Sequence, residues 1–214
     1  MSKSIYSLVL NDQLVSLLDK VAHKKGMSRS NMINCILAEY LSFETPEKRI
    51  EEIFSYVESL VNQTQSLKFI PQTSSLVAIS SAISFRYNPT VRYCIELFSG
   101  EEEGEGELKV YLRTTNAQLL EEVNRFFWLY KEIEEHYLGA TDTKIEGGRY
   151  IRRFVLKKGV EIDNQTLGNA ITEYVKSFDY LMNLYFSNLG NVGILQAIES
   201  EYKNNLVRQK VIFY

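Results

Sequence analysis

Polar and apolar side chains alternate through the first ten positions. Tyr6, Leu8 and Leu10 fall on one face of an extended chain, and Lys3, Ile5, Ser7 and Val9 on the other. This period of two predicts a β-strand over residues 3–10. From Asn11 or Asp12, either of which suits a helix N-cap, the period lengthens: Leu14, Leu17, Leu18, Val21 and Ala22 recur at helical spacing. Lys24 and Lys25 fill the last turn, where cations suit the helix dipole, and Gly26 takes the position that wants positive φ. Ser28 then caps a second helix, with Met32, Ile33, Ile36, Leu37, Tyr40 and Leu41 as its apolar stripe. The order is strand, helix, tight turn, helix.

A boundary follows. In Glu44-Thr45-Pro46-Glu47, Thr45 caps, Pro46 takes the first helical position and Glu47 complements the dipole. That helix runs to about residue 67 on Ile50, Ile53, Phe54, Val57 and Val61, and Pro71 breaks the chain. Alternation returns over 75–87, 91–98 and 107–114, with Asn88-Pro89 as a turn and an acidic loop at 99–107, and predicts an antiparallel meander. Thr115-x-x-Gln118 reads as a capping box opening a long helix that Gly139 closes. Lys144 to Lys157 reads as a hairpin turning at Gly147-Gly148. Asp163 or Asn164 opens another long helix, and Gly190 and Gly193 bracket a break before the last one.

Charge changes the picture at one place. The chain of 214 residues has formal net charge −3, which does not announce a nucleic-acid binder. Residues 1–43, however, carry Lys3, Lys20, Lys24, Lys25 and Arg29 against Asp12, Asp19 and Glu39, so a basic head precedes an acidic body. Cys35 and Cys94, one on a helix and one on a strand, read as two reduced thiols. No apolar run approaches the length that spans a bilayer, and the start lacks the pattern of a secretory signal, so the expected location is the cytoplasm, with no membrane partner.

A lone strand at residues 3–10 cannot satisfy its own backbone groups, and about 40 residues cannot build an adequate core without a metal, disulfides or a partner. An intermolecular solution fits: two copies of the strand pair into a ribbon, and Tyr6, Leu8 and Leu10 lie on the helices of the dimer. A two-stranded ribbon fits the major groove of B-DNA. The segment SIYSLVLNDQLVSLLDKVAHKKGMSRSNMINCILAEYL, with its alternating strand, polar cap, KKGMSRS turn and second amphipathic helix, resembles the ribbon-helix-helix DNA-binding domain of the CopG/Arc/MetJ type. The resemblance covers roughly residues 3–43. It implies that Lys3, Ile5, Ser7 and Val9 face the bases. It also implies that the backbone at Ser28, Arg29 and Ser30, assisted by the Ser30 hydroxyl and Arg29, anchors a phosphate, as a helix N-terminus does. Ile5 and Val9 depart from the family's polar outward face. They suit thymine methyls, which discriminate bases less sharply than bidentate hydrogen bonds.

Residues 44–214 read as α-β-β-β-α-β-β-α plus a final helix, an order similar to the secretion-chaperone fold, and fold alone does not give function. Little chemistry is legible there. His23 and His136 read as solvated residues, two histidines and two scattered cysteines make no metal site, and there is no Walker A or Gly-x-Gly-x-x-Gly after a strand. Arg149, Arg152 and Arg153 read as a solvated strand face, with an anion site as the alternative. The acidic loop reads as a solvated hairpin tip, the late aromatics as core, and Val211-Ile212-Phe213-Tyr214 as a tail docked on the body or on a partner subunit.

The expected fold is therefore α+β, with an N-terminal ribbon-helix-helix (β-α-α) over 1–43 followed by an antiparallel-sheet domain over 44–214. The expected function is a sequence-specific transcriptional regulator, a repressor rather than an enzyme, without cofactor. Its partners are double-stranded DNA and a second copy, as a homodimer or higher even oligomer, with a small-molecule or protein effector at the larger domain. The alternative is a dimeric protein-interaction, chaperone-like protein whose ribbon serves dimerisation alone.

Overall fold

The computed structural model describes residues 5–100 and 104–214 of a mixed α+β chain. It divides into two compact units, Met1–Arg49 and Ile50–Tyr214.

In the first unit the expected strand is not formed. Residues 5–10 have no regular structure and pair with no other described segment of the chain. The physical reason is the one the sequence raised: a strand needs a neighbour for its N–H and C=O groups, and the described residues of this chain offer none. Lys3 lies outside the described residues. Helix α1 (Asp12–Lys24) starts at Asn11, whose side chain accepts from Gln13 N at 2.8 Å. Gly26, at φ 64°, turns the chain, and Met27 N donates back to Ala22 O at 3.0 Å. Helix α2 (Arg29–Tyr40) starts at Ser28, whose Oγ accepts from Asn31 N at 3.3 Å.

Thr45 caps helix α3 (Pro46–Asn62) by accepting from Lys48 N at 3.2 Å. The helix is about five residues shorter than its sequence reading. The difference is a strand that the reading passed over, β1 (Lys68–Pro71). In the sequence Pro71 reads as a break in the chain. It is tolerated because β1 is an edge strand, where a missing N–H costs no ladder bond on the open side. The meander continues with β2 (Leu76–Ala82), β3 (Thr90–Leu97) and β4 (Gly106–Leu112). Helix α4 (Ala117–Leu138) is capped by Asn116, whose side chain accepts from Leu119 N at 3.1 Å, so the cap lies one residue beyond Thr115 and the expected box, with Gln118 at its third position, is not formed. Then come β5 (Thr143–Glu146), β6 (Arg149–Phe154), α5 (Asn164–Ser187) and α6 (Ile194–Arg208).

The six strands form one antiparallel sheet in the order β1-β2-β3-β4-β6-β5. One face is apolar and buried, with Ile79, Tyr93, Val110 and Tyr150 side by side across four strands. Helical side chains close over it: Phe178 of α5 meets Tyr93, Phe126, Tyr130 and Tyr150 at ring-centroid distances of 4.4–6.1 Å. Helices α3 and α5 approach so closely that a Cβ on Gly168 would stand 2.9 Å from Tyr56 Cβ and 3.0 Å from Ile53 O. The opposite face of the sheet is polar and half-exposed.

Candidate nucleic-acid interface

The first unit has a very small core. Leu18, Ala22 and Met32 are buried, with Met27 and Ile33 packed against them. Around this centre a broad apolar surface stays in solvent. Leu14, Leu17 and Val21 of α1 and Ile36, Leu37 and Tyr40 of α2 are all exposed, Leu17 by 60% and Tyr40 by 85%. Tyr6, Leu8 and Leu10 add to it from the segment before α1. Exposed apolar residues scattered singly need no explanation, but a contiguous set on two adjoining helices does. The helix positions belong to the apolar stripes read from the sequence, and Tyr6, Leu8 and Leu10 are the residues that the dimer reading lays on the helices.

Of the residues expected to face bases, Ile5 and Val9 are fully accessible and Ser7 is exposed. At the start of α2 the Ser28 cap takes the Asn31 N–H, no acidic side chain occupies the first turn, and Arg29 and Ser30 are exposed. A helix N-terminus of this kind attracts anions. Arg29 is differently placed from its sequence reading. Its guanidinium forks onto Asp19, Nε to Oδ1 at 2.7 Å and Nη2 to Oδ2 at 2.6 Å. This hydrogen bond holds the Asp19 carboxyl below its usual range and raises Arg29. Arg29 thus joins α1 to α2 in the free chain instead of standing ready for phosphate. The reading missed this because Asp19 and Arg29 are ten residues apart and only the turn at Gly26 brings them together.

In the second unit the three late arginines separate. Arg149 and Arg153 lie on the polar face of the sheet, while Arg152 is fully buried, which corrects its place on a solvated strand face. The β6 alternation carried the signal, since Arg152 shares a face with Tyr150 and Phe154. Its Nε donates to Glu134 Oε2 at 3.2 Å, and its remaining nitrogens donate to Arg153 O, Phe213 O and Tyr214 O at 2.8–3.1 Å. Glu134 also accepts from Tyr150 and Tyr174 at 2.9 and 3.0 Å. Burial pushes the Glu134 carboxyl up, and Arg152 and the two hydroxyls offset this in part. The tail docks here: Phe213 is buried 4.5 Å from the Phe154 ring, and Tyr214 N donates to Val155 O at 2.8 Å. The cluster is buried and its polar atoms are satisfied by one another, so it reads as structural. A second buried carboxyl, Asp179, accepts from Tyr93 at 2.8 Å and is likewise raised by burial.

On the polar face of the sheet, the pairing register lines up Lys68, Ser80, Arg92, Tyr111, Arg149 and Glu146 across all six strands. The Arg149 guanidinium stands 5.7 Å from the centre of the Tyr111 ring. A groove of about 620 Å³ follows this face past Cys94, Lys109, Tyr111 and Arg149. Among the described residues no group of three or more His, Cys, Asp or Glu side chains could hold a metal ion, and no helix is long and apolar enough to cross a membrane. No family model matches the chain, and neither a curated protein nor a solved structure matches it.

Proposed function

We propose that the chain is a sequence-specific DNA-binding transcriptional regulator that acts as a homodimer through residues 1–43. The observation that carries this reading is the uncovered apolar surface of α1, α2 and residues 6–10, combined with the order of strand pattern, capped helix, Gly26 turn and capped helix. Two copies bury that surface against each other. Their opening segments then pair as an antiparallel ribbon, in the manner of a ribbon-helix-helix protein, and each supplies the other's missing hydrogen-bond partners. Ile5, Ser7 and Val9, with Lys3, face the major groove, and the α2 N-terminus at Ser28 to Ser30 takes a flanking phosphate. A two-fold dimer reads a pseudo-palindrome, and its presence on a promoter excludes polymerase. The larger unit supports the dimer or receives a small-molecule or protein effector.

The test is fluorescence anisotropy with the full chain, using the duplex upstream of its own gene against a scrambled duplex at two salt concentrations. The wild type binds the first more tightly, and both affinities fall steeply with salt. Ser30→Glu is the decisive variant. An acidic residue in the first turn favours the helix but repels a phosphate, so the variant stays folded and loses duplex binding. Absence of binding to either duplex at low salt overturns the reading and moves the search to a protein partner.

A further inference from the structure

The polar face of the sheet carries a charge pattern that duplex binding by the N-terminal unit does not use. In residues 50–214 acidic side chains outnumber basic ones. Yet one row of this face presents a cation on every second strand, Lys68 on β1, Arg92 on β3 and Arg149 on β6, with Ser80 and Tyr111 between them. At the usual strand spacing the row covers about 19 Å. Arg92 and Arg149 make no ion pair among the described residues, so both guanidinia are available, whereas Lys109 one row away is held by Glu107 at 2.9 Å and Glu96 at 3.5 Å. Acidic side chains on β3 and β4 cluster at the other end of those strands, beside Leu97 and Gly106. The row itself ends in Glu146 on β5, opposite Arg149, and at the far end of the face Arg153 and Lys109 lie against Glu107.

We propose that this row binds single-stranded nucleic acid, with Arg92 and Arg149 on successive phosphates and a base stacked on the Tyr111–Arg149 pair. Three features select that occupant. Regularly spaced cations along an open face suit a polyanion rather than a compact ligand. A planar guanidinium over a phenol ring offers a platform for a base face, which a single strand exposes and a duplex hides. The groove beside Tyr111, about 620 Å³ in volume, has room for an unstacked base. The inference stands apart from the N-terminal reading, since it uses no residue of that unit.

The experiment is anisotropy of a fluorescein-labelled single-stranded oligothymidylate with the full chain, at about 50 and 200 mM salt. Arg92→Gln with Arg149→Gln should weaken binding at least about tenfold and flatten the salt dependence by about 1.4 in the log–log slope, the share of two single-strand phosphates. Tyr111→Leu should weaken it about tenfold, and Tyr111→Phe, which keeps the stacking ring, should retain it. These variants should leave upstream-duplex binding unchanged, and Ser30→Glu should do the reverse, so either surface can fail without the other. Three results would overturn the proposal: no binding of the oligothymidylate by folded wild type at low salt, undiminished binding by the double arginine variant, or equal competition by polyglutamate, which would mark an acidic protein as the occupant.

Discussion

Arg29 and Asp19 clasp α2 to α1 by two parallel hydrogen bonds of 2.7 and 2.6 Å. The pair is exposed, with side chains 55% and 45% accessible, so salt and water screen it and it adds little to stability. Its consequence concerns binding, because the carboxylate competes with phosphate for the same guanidinium. Asp19→Asn releases Arg29 and removes a negative charge beside the α2 N-terminus. It should tighten duplex binding several-fold and steepen the salt dependence. Arg29→Ala should weaken binding while barely moving the melting temperature. Weaker binding by Asp19→Asn would show that the clasp positions the anchor rather than masking it.

The apolar surface of the first unit makes a prediction about assembly. A 24.8 kDa chain with this surface covered by a copy of itself should sediment as a dimer. Leu17 and Leu37 are 60% and 47% exposed in the single chain, so Leu17→Glu with Leu37→Glu disturbs no buried contact within it. The double variant should run as a monomer, lose duplex binding, and keep the melting transition of the larger unit. A monomeric wild type at micromolar concentration would remove the basis of the dimer reading.

Local signals were legible in the sequence, and pairings across distance were not. The caps at Ser28 and Thr45, the turn at Gly26 and the hairpin at Gly147-Gly148 each rest on residues a few positions apart, and each appears where those residues place it. Strand β1 was missed because Pro71 counts against a strand unless its edge position is known, and that position is a property of the whole sheet. Glu134 looked like any polar residue on a long helix. Its role depends on Tyr150, Arg152 and Tyr174, which one strand and another helix bring to it. The basic row had the same difficulty, since Lys68, Arg92 and Arg149 share a line only through the register of five strands.

The buried ion pair predicts an asymmetric mutational response. Arg152→Met leaves Glu134 without its cation and the Phe213 and Tyr214 carbonyls without a donor. It should cost about 3–5 kcal/mol in urea unfolding, the range for breaking a buried pair. Phe213→Ala should cost a similar amount, about 3–5 kcal/mol, because the ring is buried against Phe154 and Tyr174. Arg152→Met with Glu134→Leu removes both charges together and should recover part of the loss. Additive losses in the double variant would mean that the two side chains act independently.

The same carboxyl sets a pH dependence with a definite sign. Burial raises the folded-state pKa of Glu134 above its usual 4.5, outweighing Arg152 and the two tyrosine hydroxyls. Between 4.5 and that raised value the folded chain holds a proton that the unfolded chain has released. The stability Glu134 contributes is therefore fully present below about pH 4.5 and is lost as pH rises through the folded pKa. Asp179, raised by burial from 3.8, acts in the same direction. The exposed Asp19 and Asp163, both lowered by hydrogen bonds, act oppositely, and their contribution is lost as pH falls below 3.8. Glu134→Gln cannot titrate, so urea midpoints from pH 4 to 7 should show the wild type's advantage over this variant shrinking as pH rises. An advantage that grows with pH would mean that Arg152 dominates the site and holds Glu134 ionised throughout.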